Sequence, residues 1–454
     1  MSVEEKCLAF ITENLTDSIG LFTEEEQSEI SNSSPKPKAP TIEPIPIESF
    51  DELVAVFKKS MFWTQTMEDV LAVMLAVLIS VKIGGELLWI YIVGPPSSGK
   101  SALCDAVAAA STYAVKVNKI TGIHSGYKKG KSKKDYSVLH TVNGKTMIVK
   151  DWTSILSLPP TLLQNIYGEL RDIYDGSVNT HYRTEVRHNY DDVRFGMLAG
   201  VTYEILRQNF SHLGERCLRI DITDKTTGSH KHVSKALEHI VKGMRGSFPS
   251  QSNAEIPPDR MLEIKQATLG FLNHLFEKIQ TCPPPEIDEG MLKRFTMTAR
   301  LMERLRGHVA REGTEREVSY RPRPAVAIRL ASQLTKTAVL LSVVFDKPTV
   351  DEDVFKIIKK LSIDSSSGPC YDIIKTLMAE HEDDGLGLSA GAISKKLGYL
   401  SKNAVHRRLQ DLQQLKLISP VEVPNKHGVR GRHSHLWQVI ESARVLWNGF
   451  VTKN

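Results

Sequence analysis

"IYIVGPPSSGKSALCDAVAAA", residues 90–110, is the stretch on which the reading of the fold turns. Trp89 to Val93 is a short apolar run, rich in β-branched and aromatic side chains, as a buried strand requires. Gly94, Pro95, Pro96, Ser97, Ser98, Gly99, Lys100 and Ser101 then fit GxxxxGK[ST], and Ala102 to Ala110 are mostly good helix formers. The glycines let backbone N–H groups turn toward an anion, and the helix N-terminus adds partial positive charge. The expected occupant is ATP with Mg²⁺, cradled by Gly94 through Ala102. Lys100 reaches the β/γ-phosphates and the Ser101 hydroxyl helps hold the metal.

The 454 residues suggest roughly three domains. The apolar run Val70 to Val81 is about twelve residues long against the roughly twenty a membrane span needs, so it predicts a buried helix and no membrane association. Met1 to Glu5 is acidic rather than a basic signal-peptide start. The five cysteines form no CxxC pair, which argues against a zinc site or a disulfide framework and for a cytoplasmic location. Residues 1–60 hold twelve acidic residues against five lysines, whereas the whole chain carries +5, so the remainder is strongly basic and suits an anionic partner.

Five segments follow from these patterns. Residues 1–30 form a small acidic helical piece, and 31–47, rich in Pro and Ser, a linker. Residues 48–225 alternate strands and helices around a mostly parallel sheet, with strands expected at 87–93, 114–118, 145–149, 195–201 and 217–222. Residues 226–365 are mostly helical, and 370–454 form a separate C-terminal domain. The predicted fold class is α/β.

ATP hydrolysis needs a carboxylate beside the loop, a group that positions water and a group that neutralises charge. Thr146 to Val149 is a strand followed by Lys150-Asp151, where Asp-Glu would be usual. Asp151 therefore fits either the metal position or the water-activating one. If it holds the metal, Glu169 or Asp172 on the next helix is the base. Gly196 to Thr202 is a second buried strand, and its terminal Thr202 suits a sensor of water or the γ-phosphate. Arg216, in Leu213-Gly214-Glu215-Arg216, fits an arginine finger supplied by a neighbouring subunit.

The run "SGYKKGKSKKDYSVLHTVNGKTMIVKDWTSIL…LRDIYDGSV…GMLAGVT…LGERCLRI" resembles the AAA+ ATPases of phages and other mobile elements, which are similar to minichromosome-maintenance replicative helicases. The resemblance covers about residues 90–225. It implies an AAA+ P-loop core with a helical lid, assembled as a homo-oligomeric ring, expected as a hexamer. "PRPAVAIRLASQLTKTA" resembles the family's lid, where Arg329, with Arg323 as second choice, takes the sensor-2 position. Cys217 departs from the family, which often has an aromatic residue there.

Three regions are expected to touch DNA. Tyr127 to Lys134 carries Lys128, Lys129, Lys131, Lys133 and Lys134, where AAA+ rings face their channel. Ser177 to Asn189, with Arg183 and Arg187, has the alternation of a β-hairpin, which in the resembling helicases lies in the pore. In the third region, Gly391 to Gly398 predicts a short helix and Lys402 to Lys416 a longer one, followed by a basic glycine-rich hairpin and the strand 436–440. This resembles a winged helix-turn-helix, offering Lys402, Asn403, His406 and Arg407 from the recognition helix and Lys426, Arg430 and Arg432 from the wing. The function expected is a DNA helicase or translocase in replication of a mobile element, the acidic arm docking a primase or polymerase. The alternative is an ATP-dependent clamp, loader or regulator that binds DNA without unwinding it.

Overall fold

The computed structural model describes residues 42–451 except 118–119, 121–136, 182–186, 192, 208–212, 214–215, 225–226, 248–259, 308, 310, 313–316, 319–325, 384–386 and 423–434. The acidic arm, the first part of the linker, the lysine run 128–134, Arg183, Arg323, Lys426, Arg430 and Arg432 therefore lie outside the described residues.

The chain opens with α1 (Phe50–Ser60) and α2 (Gln65–Ser80). The Ser49 and Thr64 hydroxyls cap them by accepting from the N–H groups of Glu52 and Met67. Then come β1 (Trp89–Val93), α3 (Lys100–Ala108), β2 (Ala114–Val117), α4 (Leu139–Val142), β3 (Thr146–Val149), α5 (Thr153–Leu156) and α6 (Pro160–Tyr174). An antiparallel hairpin, β4 (Ser177–His181) and β5 (Arg187–Asp191), stands at the place the alternation predicts. β6 (Gly196–Val201), a short 3₁₀ turn over Tyr203–Arg207 and β7 (Cys217–Asp221) complete this part.

Five of these strands form one parallel sheet in the order β2-β3-β6-β1-β7. Alternation along the strands sends side chains to two different cores. Ile90, Ile92, Ile148, Leu198, Leu218 and Ile220 face α1, α2 and α3, whereas Trp89, Tyr91, Val149, Met197, Ala199 and Cys217 face α4, α5 and α6. Both faces are covered, as an all-parallel sheet requires. α2 is buried at every residue from Val70 to Ser80, which explains an apolar run with no polar face.

The later helices are α7 (His230–Ser247), α8 (Arg260–Thr281), α9 (Glu289–Leu305), α10 (Ile328–Val344) and α11 (Glu352–Ser366), with a two-residue-per-strand hairpin, β8 (Arg311–Glu312) and β9 (Glu317–Val318), before α10. Phe271 of α8, Leu334 of α10 and Phe355 of α11 join the same apolar core as Leu198 of β6. α11 also closes the outer edge of β7. The Arg219 N–H donates to Ser365 Oγ at 2.8 Å, the Asp221 N–H donates to Asp364 Oδ2 at 2.8 Å, and Ser365 Oγ donates back to the Arg219 carbonyl at 3.1 Å. Burial pushes the Asp364 carboxyl above its usual range.

The C-terminal part comprises α12 (Pro369–Asp383), α13 (Ala390–Leu397), α14 (Lys402–Gln414), the antiparallel pair β10 (Ile418–Glu422) and β11 (His435–Val439), and α15 (Glu441–Val451). Ser389 and Ser401 cap α13 and α14, and Gly398 ends α13 in the left-handed region at φ 75°. Val405, Leu409, Leu412 and Leu415 point inward as their spacing predicts, onto a core that includes Leu301 and Leu305 of α9.

β6 lies between β1 and β3, and its glycines permit the fit. A Cβ on Gly200 would sit 2.5 Å from the Lys150 carbonyl oxygen, and the Gly200 carbonyl accepts from the Trp152 N–H at 2.7 Å. Gly200→Ala is therefore expected to lower the unfolding free energy by about 1–3 kcal/mol in urea titration. Gly84→Ala, where a Cβ would meet nothing within 4 Å, should stay within about 0.5 kcal/mol of the native value.

Candidate functional site

The loop between β1 and α3 sits at the C-terminal edge of the sheet. Ser97 and Gly99 adopt left-handed conformations at φ 63° and 89°, and Gly94 has no room for a side chain because Ile222 Cγ2 would lie 2.6 Å from its Cβ. α3 starts at Lys100 with no side-chain cap, so its first-turn N–H groups are available to an anion. Lys100 is buried and folds back over the loop. Its Nζ donates to the Gly94 and Pro95 carbonyls at 2.7 Å each and to Ser98 Oγ at 3.2 Å. Burial pulls its ammonium below the usual lysine range, with Asp221 and Asp151 among the groups acting in the opposite direction. Ser101 is exposed at the start of the helix.

The topology brings three further strand ends to this edge. The Gly94 N–H donates to the Val201 carbonyl at 3.2 Å, which sets Thr202 beside the first residue of the loop. The Thr202 N–H donates to Thr153 Oγ1 at 3.1 Å, and the two threonine hydroxyls are 3.3 Å apart. Asp151 is exposed, and its carboxylate accepts from the Thr153 N–H at 3.0 Å. Asp221, at the end of β7, accepts from the Thr223 N–H at 2.8 Å and from its hydroxyl at 2.7 Å. Lys150 takes the α3 side of β3, where it pairs with Asp105 of the loop helix. Against the burial that pushes it up, Lys150 and Lys116 hold the Asp105 carboxyl below its usual value.

A cavity of about 380 Å³ opens beside Ser97, Ser98 and Gly99, walled by Met61, Phe62, Thr64, Ile222 and His232. The Phe62 and His232 rings meet edge-on with centroids 4.8 Å apart. Sequence reasoning missed this wall, as it missed Thr153, Asp105 and Asp221. Met61-Phe62-Trp63 carries no motif and comes to the loop only through the packing of α1 and α2.

Not every expected residue lies here. α6 runs back down the sheet, and its last residue, Tyr174, donates to the Leu87 carbonyl at 2.9 Å, just before β1 begins. Glu169, one turn from that end, and Asp172 therefore sit toward the N-terminal edge, away from the loop. Arg216 immediately precedes β7 and so also lies at the N-terminal edge. Its Nη2 is 2.5 Å from Asp175 Oδ2, and Arg329 Nη2 is 3.4 Å from Asp175 Oδ1. Both guanidiniums approach the Tyr174 ring, at 5.8 and 5.4 Å from its centroid. Gln333 Nε2 donates to Tyr174 Oη at 2.8 Å and to the Arg216 carbonyl at 3.1 Å. Strands of this length separate the two edges by roughly 16 Å. The loop and the two arginines thus stand at opposite edges of one sheet.

On the C-terminal part, Lys402, Asn403, His406 and Arg407 are all exposed on α14. The side chain of Arg187 on β5 lies outside the described residues. No family model and no curated protein matches the chain. Among the described residues no helix is long and apolar enough to cross a membrane, and no cluster of three or more His, Cys, Asp or Glu could hold a metal ion.

Lys336 of α10 lies close to the arginine pair and donates to the Ile83 and Glu86 carbonyls at 2.8 and 2.9 Å. Burial pulls its ammonium down to about 8. An unfolded lysine titrates near 10.4, so between roughly pH 8 and pH 10.4 the folded chain releases its proton first and its stability rises with pH. Below that window both states are charged and the folded one bears the cost of burial. Native protein is expected to gain stability relative to Lys336→Met across the window, as read by chemical denaturation at pH 7 and pH 10.

Proposed function

We propose that the chain is a ring-forming AAA+ ATPase that hydrolyses ATP between subunits and moves along DNA as a replicative helicase of a mobile element. The observation that carries this reading is the split of the site. The loop of Gly94 to Ala102, Asp151 and Thr202 occupy one edge of the sheet, whereas Arg216 and Arg329 occupy the other. A chain that cannot bring its arginines to its own loop can bring them to a neighbour's.

Within one subunit, the N–H groups of the loop and of the first turn of α3 would bind the triphosphate. Lys100 would exchange its bonds to Gly94, Pro95 and Ser98 for phosphate oxygens. Ser101 is the residue that would hold Mg²⁺, which screens the phosphate charge when bound. Asp151, exposed just past the end of β3, would either hold the metal or activate the water. The Thr153–Thr202 hydroxyl pair would orient the water or sense the γ-phosphate. Phe62 and His232 would border the nucleobase, and Asp175 would release both arginines when a neighbour's phosphates approach.

The C-terminal part supports DNA binding. Two serine-capped helices joined by a short turn, followed by an antiparallel strand pair, fit a winged helix-turn-helix. The exposed Lys402, Asn403, His406 and Arg407 would face a groove.

Lys100→Ala is expected to lower ATP turnover by about 100-fold or more, and turnover at the native rate would remove the site assignment. Arg216→Ala should lower it by about 1,000-fold and, in mixtures with native protein, inhibit more than in proportion to its fraction. Lys402→Ala and Arg407→Ala should each weaken duplex binding and lower its salt dependence by roughly one released counterion. Strand displacement on a forked DNA, requiring hydrolysable ATP, separates a helicase from a clamp or loader. DNA-stimulated ATPase without displacement would favour the latter.

A further inference from the structure

Among the described residues two apolar surfaces stay uncovered, and each lies beside one of the two sheet edges described above. On α7, Val233, Leu237 and Val241 recur every four residues and are 46%, 54% and 43% exposed, forming one stripe along the helix. The adjoining face of α7 carries His232 and Ala236, which wall the cavity at the loop. The stripe therefore runs beside the loop.

The second surface is a cleft of about 980 Å³ between α9 and α10, floored by Phe295 and Ala331. Leu292, Val326 and Ile328 stand on its rim, exposed by 44%, 71% and 73%. Ile328 is next to Arg329, and the cleft extends to Gly84 and Lys336 at the N-terminal edge of the sheet. It therefore adjoins the arginine pair.

We infer that the α7 stripe of one copy seats in the α9–α10 cleft of the next; the inference rests on the reading that Arg216 and Arg329 serve a neighbour's loop. Three observations commit the occupant to a second copy. A neighbour placed to receive Arg329 at its loop must bring α7, which borders that loop, past the residue preceding Arg329. The two surfaces match in kind, a ridge of three aliphatic side chains and a cleft with aliphatic rims. The surrounding charges are also complementary. Exposed Asp151, Glu204 and Asp224 surround the loop edge, while Arg194, Arg216 and Arg329 stand at the other, with Asp175 and Glu86 taking up part of their charge in the single chain. Ridge and cleft are different patches of the same chain, so the contact is head-to-tail, and each copy keeps one ridge and one cleft for further neighbours.

A charge exchange tests the contact in the full-length chain. Leu237→Lys and Ile328→Glu are both at side chains more than half exposed, so neither disturbs a core. Sedimentation velocity in Mg²⁺ and a non-hydrolysable ATP analogue should show each single variant self-associating about tenfold or more weakly than the native chain. The double variant, whose new charges face each other across the contact, should recover to within about threefold. As a second measurement, Leu237→Cys mixed with Ile328→Cys, in a background lacking Cys7 and the exposed Cys282, should form a disulfide-linked dimer on mild oxidation, while either variant alone should not. Native-like association of both single variants, or single losses that the double variant does not repair together with no cross-link, would overturn the contact. If Arg216→Ala still poisoned mixed assemblies in that case, the shared site would stand and only its docking surface would be lost. A chain that hydrolyses ATP as a monomer would remove both.

Discussion

The packing of β6 against the end of β3 is the constraint on which the rest of the site depends. Gly200 has no side chain, so the strand approaches until its α-carbon lies against the Lys150 carbonyl and its own carbonyl takes the Trp152 N–H. That contact fixes the turn holding Asp151 and Thr153 at the same height as Thr202. Thr202 is in turn set beside Gly94 by the bond from the Gly94 N–H to Val201. Thr153 thereby reaches the loop edge through Thr202, although β3 and β1 are not neighbours in the sheet. The sheet thus works as a ruler: its C-terminal edge collects the loop, Asp151, Thr202 and Asp221, and its N-terminal edge collects Arg216, Arg329, Asp175 and Tyr174.

Local pattern made much of this legible. The strand–loop–helix at residues 90–110, the four other parallel strands, the hairpin after α6 and the serine-capped helices of the C-terminal part each follow from periodicity, turn residues or capping within a few residues of chain. What depends on long-range placement was not legible. Glu169 has the right chemistry and follows Asp151 closely, yet α6 carries it down the sheet because a helix that crosses over to the next parallel strand must run antiparallel to the sheet. Lys150 announces its departure from the usual acid, but its pairing with Asp105 needs the register of α3 against β3. Phe62 and His232 are some 170 residues apart in the chain and meet only because α1, α2 and α7 converge on one loop. Tyr174 and Gln333 likewise become partners of the arginines only through the fold.

The arginine cluster also shows how several charged groups are held together at a sheet edge. Asp175 engages both guanidiniums, Tyr174 offers its ring face to both, and Gln333 ties the Tyr174 hydroxyl to the backbone of Arg216. An arginine anchored in this way has already given up much of its side-chain freedom. Two carboxylates share the pair, Asp175 with both guanidiniums and Glu86 with Arg329.

Sealing β7 with side chains from α11 has a further effect. Asp364 and Ser365 occupy the backbone groups that another strand would need, so no foreign strand can add to the sheet on that side. Unpaired N–H and C=O groups along a strand edge are a template on which a strand of another chain can add. At high protein concentration an open edge there would offer a route into irreversible aggregates. Two side chains at the end of one helix close that route.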